Sequence, residues 1–306
     1  DVRSGFWFAL ARYALLNIEA QRYHVKNWRP NILVFTGQPH NRERLAELAE
    51  WLTVGQGIVT FSQLLVGDVE QLAGRGLRET ARKNIRKYIQ DRRMTAFAQA
   101  DVVSSFHEGA LTIAQADGTG ALEANSVLFG WSGTPDGRIG QLKLLRTLVQ
   151  LRKSVLLLNF DEQRKFGRQK IIDVWWGGRG GNADMMLILA YLIRQHQSWY
   201  GAEIRLLRII NSHEGQDQCE THMEQLLQSV RVKADAVIIV RSDPEQPLAE
   251  IISAHSRNTD LTVLGIQVPE LDQVEAYSQY LDELMQGVGS ALLVRSAQPE
   301  DLLELD

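Results

Sequence analysis

Short apolar runs alternate with longer segments of helical periodicity along almost the whole chain, which leaves few architectures open to it. The first run, Ile32–Phe35, has the continuous apolar character of a buried parallel strand. Strands that alternate with helices of about 10–15 residues indicate parallel, doubly wound α/β sheets with right-handed crossovers. Further strands are predicted at Ile58–Val66, Thr95–Ala100, Ser126–Gly130, Val155–Leu158, Ile171–Trp175, Glu203–Ile210, Ala236–Val240, Leu261–Gly265 and Ala291–Val294.

The segments between the strands carry helix signals. Asn41 is a candidate N-cap for a helix with an apolar stripe over Leu45–Leu52, and Gly55 is a candidate left-handed stop. A single long helix is predicted over Gln71–Gln90. Other helices are predicted at about Val102–Ala116, Ile139–Leu151, Ala183–Ser198, Glu214–Ser229, Pro247–Ser256 and Leu271–Met285.

The strand signals divide the chain into two similar halves, with the same number of strands in each. The polar segment Phe160–Gln169 between them has the composition of a boundary. The sequence therefore predicts an α/β subdomain over residues 31–160 and a second one over residues 161–306. Residues 1–30 are predicted to form an amphipathic connector helix, running to about Tyr23, and a junction.

Composition narrows the class of protein. The 306 residues are 44% hydrophobic and 23% charged, which is typical of a globular protein. The single cysteine, Cys219, cannot form an intramolecular disulfide, and a cytosolic setting is the simpler reading. The apolar stretch Gly5–Leu16 is shorter than a bilayer requires and contains Arg12. The formal net charge of −4 does not favour nucleic acid as a partner.

Two glycine-containing turns are candidate sites of chemistry, because ligands of open α/β sheets bind beyond the carboxyl ends of the strands. Gly177–Asn182 follows a strand and precedes a helix, but it matches neither a P-loop nor a dinucleotide fingerprint. Gly130–Gly133 resembles a nucleophile elbow, except that Thr134 stands where the second glycine is required. A flexible connection after two tryptophans explains the first glycine run equally well, and a strand-end turn accounts for the second.

Metal and acid–base signals are equally weak. Cys219 and His222 share a helical face, with His213 nearby, but a zinc site needs three or four ligands. Asp173 lies in a strand without a visible acid–base partner. No enzymatic activity, cofactor or metal is therefore predicted.

Three segments resemble a known family. His24–Pro30, running into the strand and then Thr36-Gly37, resembles the signature at the start of the cytoplasmic C-terminal domain of cation–chloride cotransporters. Ile172–Trp176 is similar to the family's central Asp-Val-Trp-Trp segment, and Ala291–Arg295 to its final strand. The three matches occur in the family's order and extend over nearly the whole chain.

The resemblance implies a fragment of a prokaryotic-type member, at the cytoplasmic face of the cell membrane and preceded by a transmembrane domain. It implies two subdomains resembling the universal stress protein fold, a homodimer, and influence on symport of chloride with Na⁺ and/or K⁺. The long polar insertions that carry phosphorylation sites in animal members are missing between the matched segments, so kinase control is not expected. Ile266–Pro269 replaces the glycine-rich phosphate loop of nucleotide-binding stress proteins.

Three groups of residues are candidate contacts. The junction with the transmembrane domain is predicted to involve His24, Lys26, Asn27, Trp28, Arg29 and Pro30, with a solvated linker as the alternative. An exposed basic stripe, which could face the transporter or anionic lipid or be merely solvated, is predicted to comprise Arg75, Arg82, Arg86 and Arg93. Residues of an interface or of the core are predicted to be Asp173, Trp175 and Trp176.

A second function stays open at this point. A universal-stress-type protein that binds a nucleotide would share the fold class but would need a loop that cradles phosphate, for which Gly177–Gly181 is the only candidate identified.

Overall fold

A computed structural model describes residues 2–20, 28–118, 122–177 and 182–297. The strands are β1 Asn31–Phe35, β2 Ile58–Val66, β3 Phe97–Val103, β4 Ser126–Gly130, β5 Ser154–Asn159, β6 Ile171–Trp175, β7 Glu203–Ile210, β8 Asp235–Val240, β9 Leu261–Gly265 and β10 Ala291–Arg295. The helices are α1 Val2–Ala20, α2 Glu43–Thr53, α3 Val69–Ala73, α4 Leu77–Asp91, α5 Phe106–Ala116, α6 Pro135–Gln150, α7 Ala183–Gln195, α8 Gln216–Val230, α9 Leu248–Ser256 and α10 Val274–Leu284.

All ten strands join one sheet in the order β3-β2-β1-β4-β5-β10-β9-β6-β7-β8. Each half of the chain winds in the same way, because β6 to β10 occupy the same relative places as β1 to β5. Every neighbouring pair is parallel except β5–β10, where Leu157 lies opposite Leu293. The predicted α/β class with mainly parallel strands is confirmed, and the structure adds that one sheet runs through both repeats.

Helices cover both faces of the sheet, which explains why the central strands are apolar on both sides. One core contains Leu48 of α2, Ile85 of α4 and Leu189 of α7. The other contains Leu142 of α6, Ile251 of α9 and Leu281 of α10. Each core therefore draws residues from both repeats, and α2 packs on α7 as α6 packs on α10 across the middle of the molecule.

The predicted long helix over Gln71–Gln90 is wrong, because two helices replace it. Asp68 caps the short α3 by accepting a hydrogen bond from the amide of Gln71 (2.9 Å). The chain then turns at Gly76, whose φ of 66° lies in the left-handed region that glycine adopts without strain. Helix α4 begins at the next residue, so the apolar periodicity on either side of the turn belongs to separate helices.

The ends of α2 also differ from the prediction. Asn41 is the last residue of a 3₁₀ turn, and α2 begins at Glu43 after Arg42. At the other end Val54 itself takes the left-handed conformation, with φ 44°, and Gly55 follows with φ 69°. The predicted glycine stop thus lies one residue beyond the actual C-cap.

Helix α1 is exposed around its whole circumference, so the prediction of an amphipathic opening helix is wrong. Its large apolar side chains do not share one face. They are Phe6, Trp7, Phe8, Leu10, Tyr13, Leu16 and Ile18, each at least 42% exposed. Only its Leu15 is partly buried among the described side chains of the helix.

The segment between the repeats is tied to the second repeat by Asp260. The carboxylate of Asp260 accepts hydrogen bonds from the amides of Arg168, Lys170 and Ile171, at 2.7 to 3.0 Å. Gly167 has φ 48°, and a Cβ there would lie 1.8 Å from the Asp260 carboxylate, so a glycine is required. The polar boundary is therefore an ordered turn.

Candidate functional site

The chain enters the sheet through three residues that are fixed to the first repeat. Trp28 is 8% exposed and belongs to the core that α2 and α7 share. The carbonyl of Arg29 accepts a hydrogen bond from Asn125 Nδ2 (2.6 Å), and the carbonyl of Pro30 accepts one from the amide of Ile58 (3.0 Å). His24, Lys26 and Asn27, predicted with them, lie outside the described residues.

A pair of asparagines positions this entry. The amide of Asn31 donates to Asn125 Oδ1 (3.1 Å), and Asn31 Nδ2 donates to the carbonyls of Leu122 (2.8 Å) and Glu123 (2.9 Å). Asn125 directly precedes β4, which lies beside β1 in the sheet. The residues that the Asn125 side chain contacts at the entry are more than 90 positions away in sequence, so no local signal predicted its role.

The basic residues around α4 do not form one helical stripe. Arg82 and Arg86 lie on α4, whereas Arg75 precedes the helix and Arg93 follows it with φ 55°. Arg82 Nε donates to the carbonyl of Ala98 on β3 (3.1 Å), which leaves it partly committed. In the described part of the chain, no carboxylate lies within ion-pair distance of Arg75, Arg86 or Arg93, and all three are exposed.

Helix α1 and this basic region meet at one cleft. A cleft of about 620 Å³ is lined by Leu15 of α1, Phe97 of β3 and the guanidinium-bearing side chains of Arg78 and Arg82. Phe97 is 64% exposed. The end of the molecule near α1 therefore combines exposed apolar side chains with cations.

Asp173 is the centre of a buried polar network. It has no exposed surface and accepts hydrogen bonds from Nε and Nη2 of Arg205, both at 2.7 Å. The hydroxyls of Ser256 and Thr259 also donate to it, each at 2.5 Å. These bonds raise the pKa of the Arg205 guanidinium above its usual value, although burial opposes the effect. Three of these bonds go to Oδ2 and one goes to Oδ1, so the carboxylate is held in place by residues of three other segments.

The two tryptophans after Asp173 point to opposite faces of the sheet, as residues of a strand must. Trp175 is 6% exposed in the core of α6 and α9, and its Nε1 donates to Ser256 Oγ (2.9 Å). Trp176 is partly buried against the other core, with the guanidinium of Arg208 4.3 Å from the centre of its ring. Asp173 and Trp175 thus lie in the interior, and Trp176 lies at its margin.

The turn after β4 opens on the largest of the clefts described, about 760 Å³, at the carboxyl ends of β4 and β5. Arg138 on α6 donates to the carbonyl of Ser132 (2.8 Å) and forms an ion pair with Asp282 of α10. Trp131 Nε1 donates to the same aspartate (3.0 Å). Ser132 Oγ lies 3.4 Å from the hydroxyl of Thr134, and no histidine among the described residues hydrogen-bonds to it, as an activated nucleophile would require.

The corresponding cleft of the second repeat, about 630 Å³, is bordered by Gly177 and Asn182. Asn182 Nδ2 donates to the carbonyl of Ile266 (2.9 Å), and Asn182 Oδ1 accepts from the amide of Ser296 (2.8 Å). Its side chain joins α7 to the ends of β9 and β10. The remaining glycines of Gly177–Asn182 lie outside the described residues.

Cys219 and His222 are not arranged as a metal site. Cys219 is buried, which raises the pKa of its thiol, and its Sγ contacts Met223 Sδ at 3.9 Å, whereas His222 is exposed. Over residues 2–20, 28–118, 122–177 and 182–297, no group of three His, Cys, Asp or Glu side chains could hold a metal ion. Over the same ranges, no helix is both long and apolar enough to cross a bilayer.

Comparison with known sequences and structures adds two findings. The sequence model of solute carrier family 12 matches residues 145–250, which include the Asp-Val-Trp-Trp segment. The cytoplasmic domain of a prokaryotic cation chloride cotransporter superposes with a TM-score of 0.65 at 17% identity, covering 90% of this chain and 99% of that chain.

Other solved structures share the fold. A universal stress protein from Archaeoglobus fulgidus DSM 4304 superposes with a TM-score of 0.55 at 10% identity, covering 87% of this chain and 98% of that chain. A functionally unknown protein from Pseudomonas aeruginosa PAO1 has a TM-score of 0.55 at 13% identity, covering 89% and 94%. These likenesses confirm the predicted resemblance to the universal stress protein fold.

Proposed function

We propose that this chain, whose resemblance to the cation–chloride cotransporter family is supported by both the sequence model and the fold, is the non-catalytic cytoplasmic regulatory and dimerisation domain of such a transporter. In this role it lies at the cytoplasmic face of the membrane and influences the symport of chloride with Na⁺ and/or K⁺. The observation that carries the proposal is the fixed entry of the chain at Trp28–Pro30. A rigid entry lets the orientation of the domain act on whatever precedes it.

The geometry of the entry supports a mechanical role. A solvated linker would leave Trp28 in water and the carbonyls of Arg29 and Pro30 free, whereas all three are held by the first repeat. Pro30 adds a fixed φ and disfavours a helical conformation at Arg29. A displacement of the segment before Trp28 would therefore move the whole domain, and a movement of the domain would displace that segment.

The surface near α1 supports a membrane-proximal orientation. Exposed apolar side chains on α1, together with Arg82 at the cleft beside it and Arg86 next to Phe97, favour neighbours that are apolar and anionic, as the inner face of a bilayer is. This end of the domain would face the transmembrane part of the same protein or its lipid.

Replacing Pro30 by alanine in the transporter that carries this chain tests the proposal. The expected change in chloride flux is about twofold to thirtyfold, the range that coupling energies of about 0.5–2 kcal/mol produce. Flux is measured in proteoliposomes, and the stability of the isolated chain is measured by urea unfolding. The proposal expects a large effect on flux and a small one on stability.

Pro269→Ala is the matched control. Pro269 is also buried, but it lies between β9 and α10 in the second repeat, far along the chain from the entry. It should leave flux within error of the parent. Equal flux in Pro30→Ala and the parent, at equal expression, would overturn the role of the entry.

The cleft after β4 favours a second candidate, a universal-stress-type nucleotide-binding protein. Arg42 and Arg138 both line it, and Arg42 Nη1 would lie 3.9 Å from a Cβ built on Gly130. Against this, the Arg138 guanidinium is already engaged by Asp282 and Ser132. Calorimetric titration with ATP and AMP separates the two functions, since heat that saturates at one site per chain would favour the nucleotide binder.

A further inference from the structure

The two edge strands of the sheet, β3 and β8, differ in whether side chains hydrogen-bond to their outward backbone groups. On β3, Arg78 Nε donates to the carbonyl of Ala100 (2.8 Å) and Arg82 Nε donates to the carbonyl of Ala98 (3.1 Å). Arg78 also pairs with Asp101 at 3.1 Å. Charged side chains that occupy the free carbonyls of an edge strand prevent another strand from adding to it. The β3 edge is therefore closed.

On the β8 edge, no arginine of the described residues bonds the outward carbonyls in this way. The amide of Arg241 donates to the carbonyl of Ile210 on β7 (2.8 Å), and Val240 is the register partner of Ile210. The backbone groups of a strand alternate in direction, so those of Ala236, Ile238 and Val240 point away from β7. Within the described part of the chain, no side chain hydrogen-bonds to these outward groups.

We propose that β8 pairs antiparallel with β8 of a second copy of this chain, around a two-fold axis at Ile238. The inference deepens the proposed dimerisation role and rests on it. The free backbone groups require a strand as their partner, and a copy of β8 closes the assembly as a dimer. Opposed residues in an antiparallel pair must have the same hydrogen-bonding direction, so Ile238 can lie opposite itself.

Charge and side chains fit this register. With Ile238 at the axis, Ala236 lies opposite Val240 and Val237 lies opposite Ile239. Asp235, which is exposed, then lies opposite Arg241 at both ends of the paired strands. Opposite charges stabilise a cross-strand pair and like charges destabilise it.

Arg241 has capacity for such a contact. Its Nη2 donates to the carbonyl of Gln246 (2.5 Å), and no carboxylate lies within ion-pair distance of the guanidinium in the part of the chain that the structure describes. A carboxylate from the second copy would neutralise a guanidinium that is only partly satisfied within one chain.

The side chains of the edge support association as well. Val237 to Val240 are all half-buried in one chain, with Ile238 at the margin of one core and Ile239 at the margin of the other. An apolar edge strand exposed in this way is a template for pairing. Pairing of two copies would extend both cores across the axis.

Cross-linking tests the register. The only native cysteine, Cys219, is buried, so a new cysteine reports on its own position. In Ile238→Cys, the two new residues would have Cα atoms about 5.5 Å apart, within the range for a disulfide. Mild oxidation should therefore give a covalent dimer. Ala98→Cys, at an outward position of the guarded β3 edge, is the matched control and should remain largely monomeric on a denaturing gel.

Charge reversal tests the proposal without an oxidant. Asp235→Arg and Arg241→Asp should each weaken the dimer about tenfold or more, because both ends of the pairing acquire like charges. The double variant should recover most of the affinity, as measured by sedimentation velocity over a range of concentrations. Thermal unfolding of each variant checks that the monomer is intact.

The outcomes separate this inference from the proposed function. A dimer that persists in Asp235→Arg and fails to cross-link through Ile238→Cys would overturn pairing through β8 and leave dimerisation intact. A chain that stays monomeric at every concentration would overturn both. Cross-linking together with recovery in the double variant would support both.

Discussion

Asp173 illustrates how one residue can hold together segments that are distant in sequence. Its carboxylate lies on β6 and receives hydrogen bonds from Arg205 on β7, Ser256 at the end of α9 and Thr259 before β9. A buried charge is tolerated only when it is paired and hydrogen-bonded, and Asp173 has both an ion-pair partner and two hydroxyl donors. The Asp-Val-Trp-Trp segment thus anchors the second repeat through its aspartate.

Asp173→Asn should lower the free energy of unfolding by about 3 kcal/mol, because it leaves the Arg205 cation without its partner in a partly buried position. Urea unfolding followed by circular dichroism measures the change. Asp272→Asn, at an exposed position on the approach to α10, is the control and should change stability by less than about 0.5 kcal/mol. A loss for Asp173→Asn no larger than that of the control would contradict the structural role.

The sequence identified Asp173 but not its partners. A carboxylate between two apolar residues of a strand is conspicuous, whereas Arg205, Ser256 and Thr259 are ordinary polar residues until the sheet aligns them. The same holds for Asn125 at the entry and Asp282 at the first cleft. A sequence shows which residue types are present, but the topology of the sheet decides which residues 32 to 151 positions apart come into contact.

At the scale of elements, strands were predicted closely and helix ends less well. All ten predicted strands are present, and the central ones are the clearest, since continuous apolar runs bounded by turn residues are a strong signal for strands buried on both faces. The helix predicted over Gln71–Gln90 is two helices because the chain turns at Gly76 between them. The spacing of apolar residues indicates which face of a helix is buried, but it does not reveal a turn of one or two residues between two helices.

We expect Arg86 on helix α4 to contribute to binding of anionic lipid. Arg86 is exposed on α4 beside the exposed Phe97, and a cation near an anionic surface contributes about 1 kcal/mol. Arg86→Gln should therefore weaken co-sedimentation with vesicles containing phosphatidylserine about fivefold. Arg257→Gln, an exposed position at the end of α9, is the control. Binding that is indifferent to Arg86, to anionic lipid and to salt would remove this surface from the proposal.

For the whole molecule, the repeat seen in the sequence is a repeat of topology within a single sheet. Strands β6 to β10 follow the same order as β1 to β5, and the antiparallel pair β5–β10 joins the two repeats. The two-subdomain division at residues 160 and 161 stays a prediction about the chain, because both helical layers bury residues from each side of it. The sequence alone does not predict the antiparallel pairing of β5 with β10, since both strands are apolar in the same way as their neighbours.

The shared cores predict that the repeats unfold together. Leu48 is buried on α2 in the first repeat, within the same core as the α7 residues of the second, and Leu48→Ala should cost about 2–5 kcal/mol. Cys219 reports separately on the second repeat, because its buried thiol reacts only when α8 opens. Both the circular dichroism midpoint and the midpoint of Cys219 labelling in urea should shift by the same amount.

Leu16→Ala, on the exposed α1, supplies the matched control and should shift neither midpoint. If Leu48→Ala moved the circular dichroism transition but left the labelling of Cys219 unchanged, the repeats would be independent folding units. Because α2 packs on α7 and α6 on α10, such a separation would require both interfaces to open before either repeat unfolds. Exposing two apolar interfaces while both repeats stay folded costs free energy without the gain in chain entropy that unfolding brings, so one transition is expected.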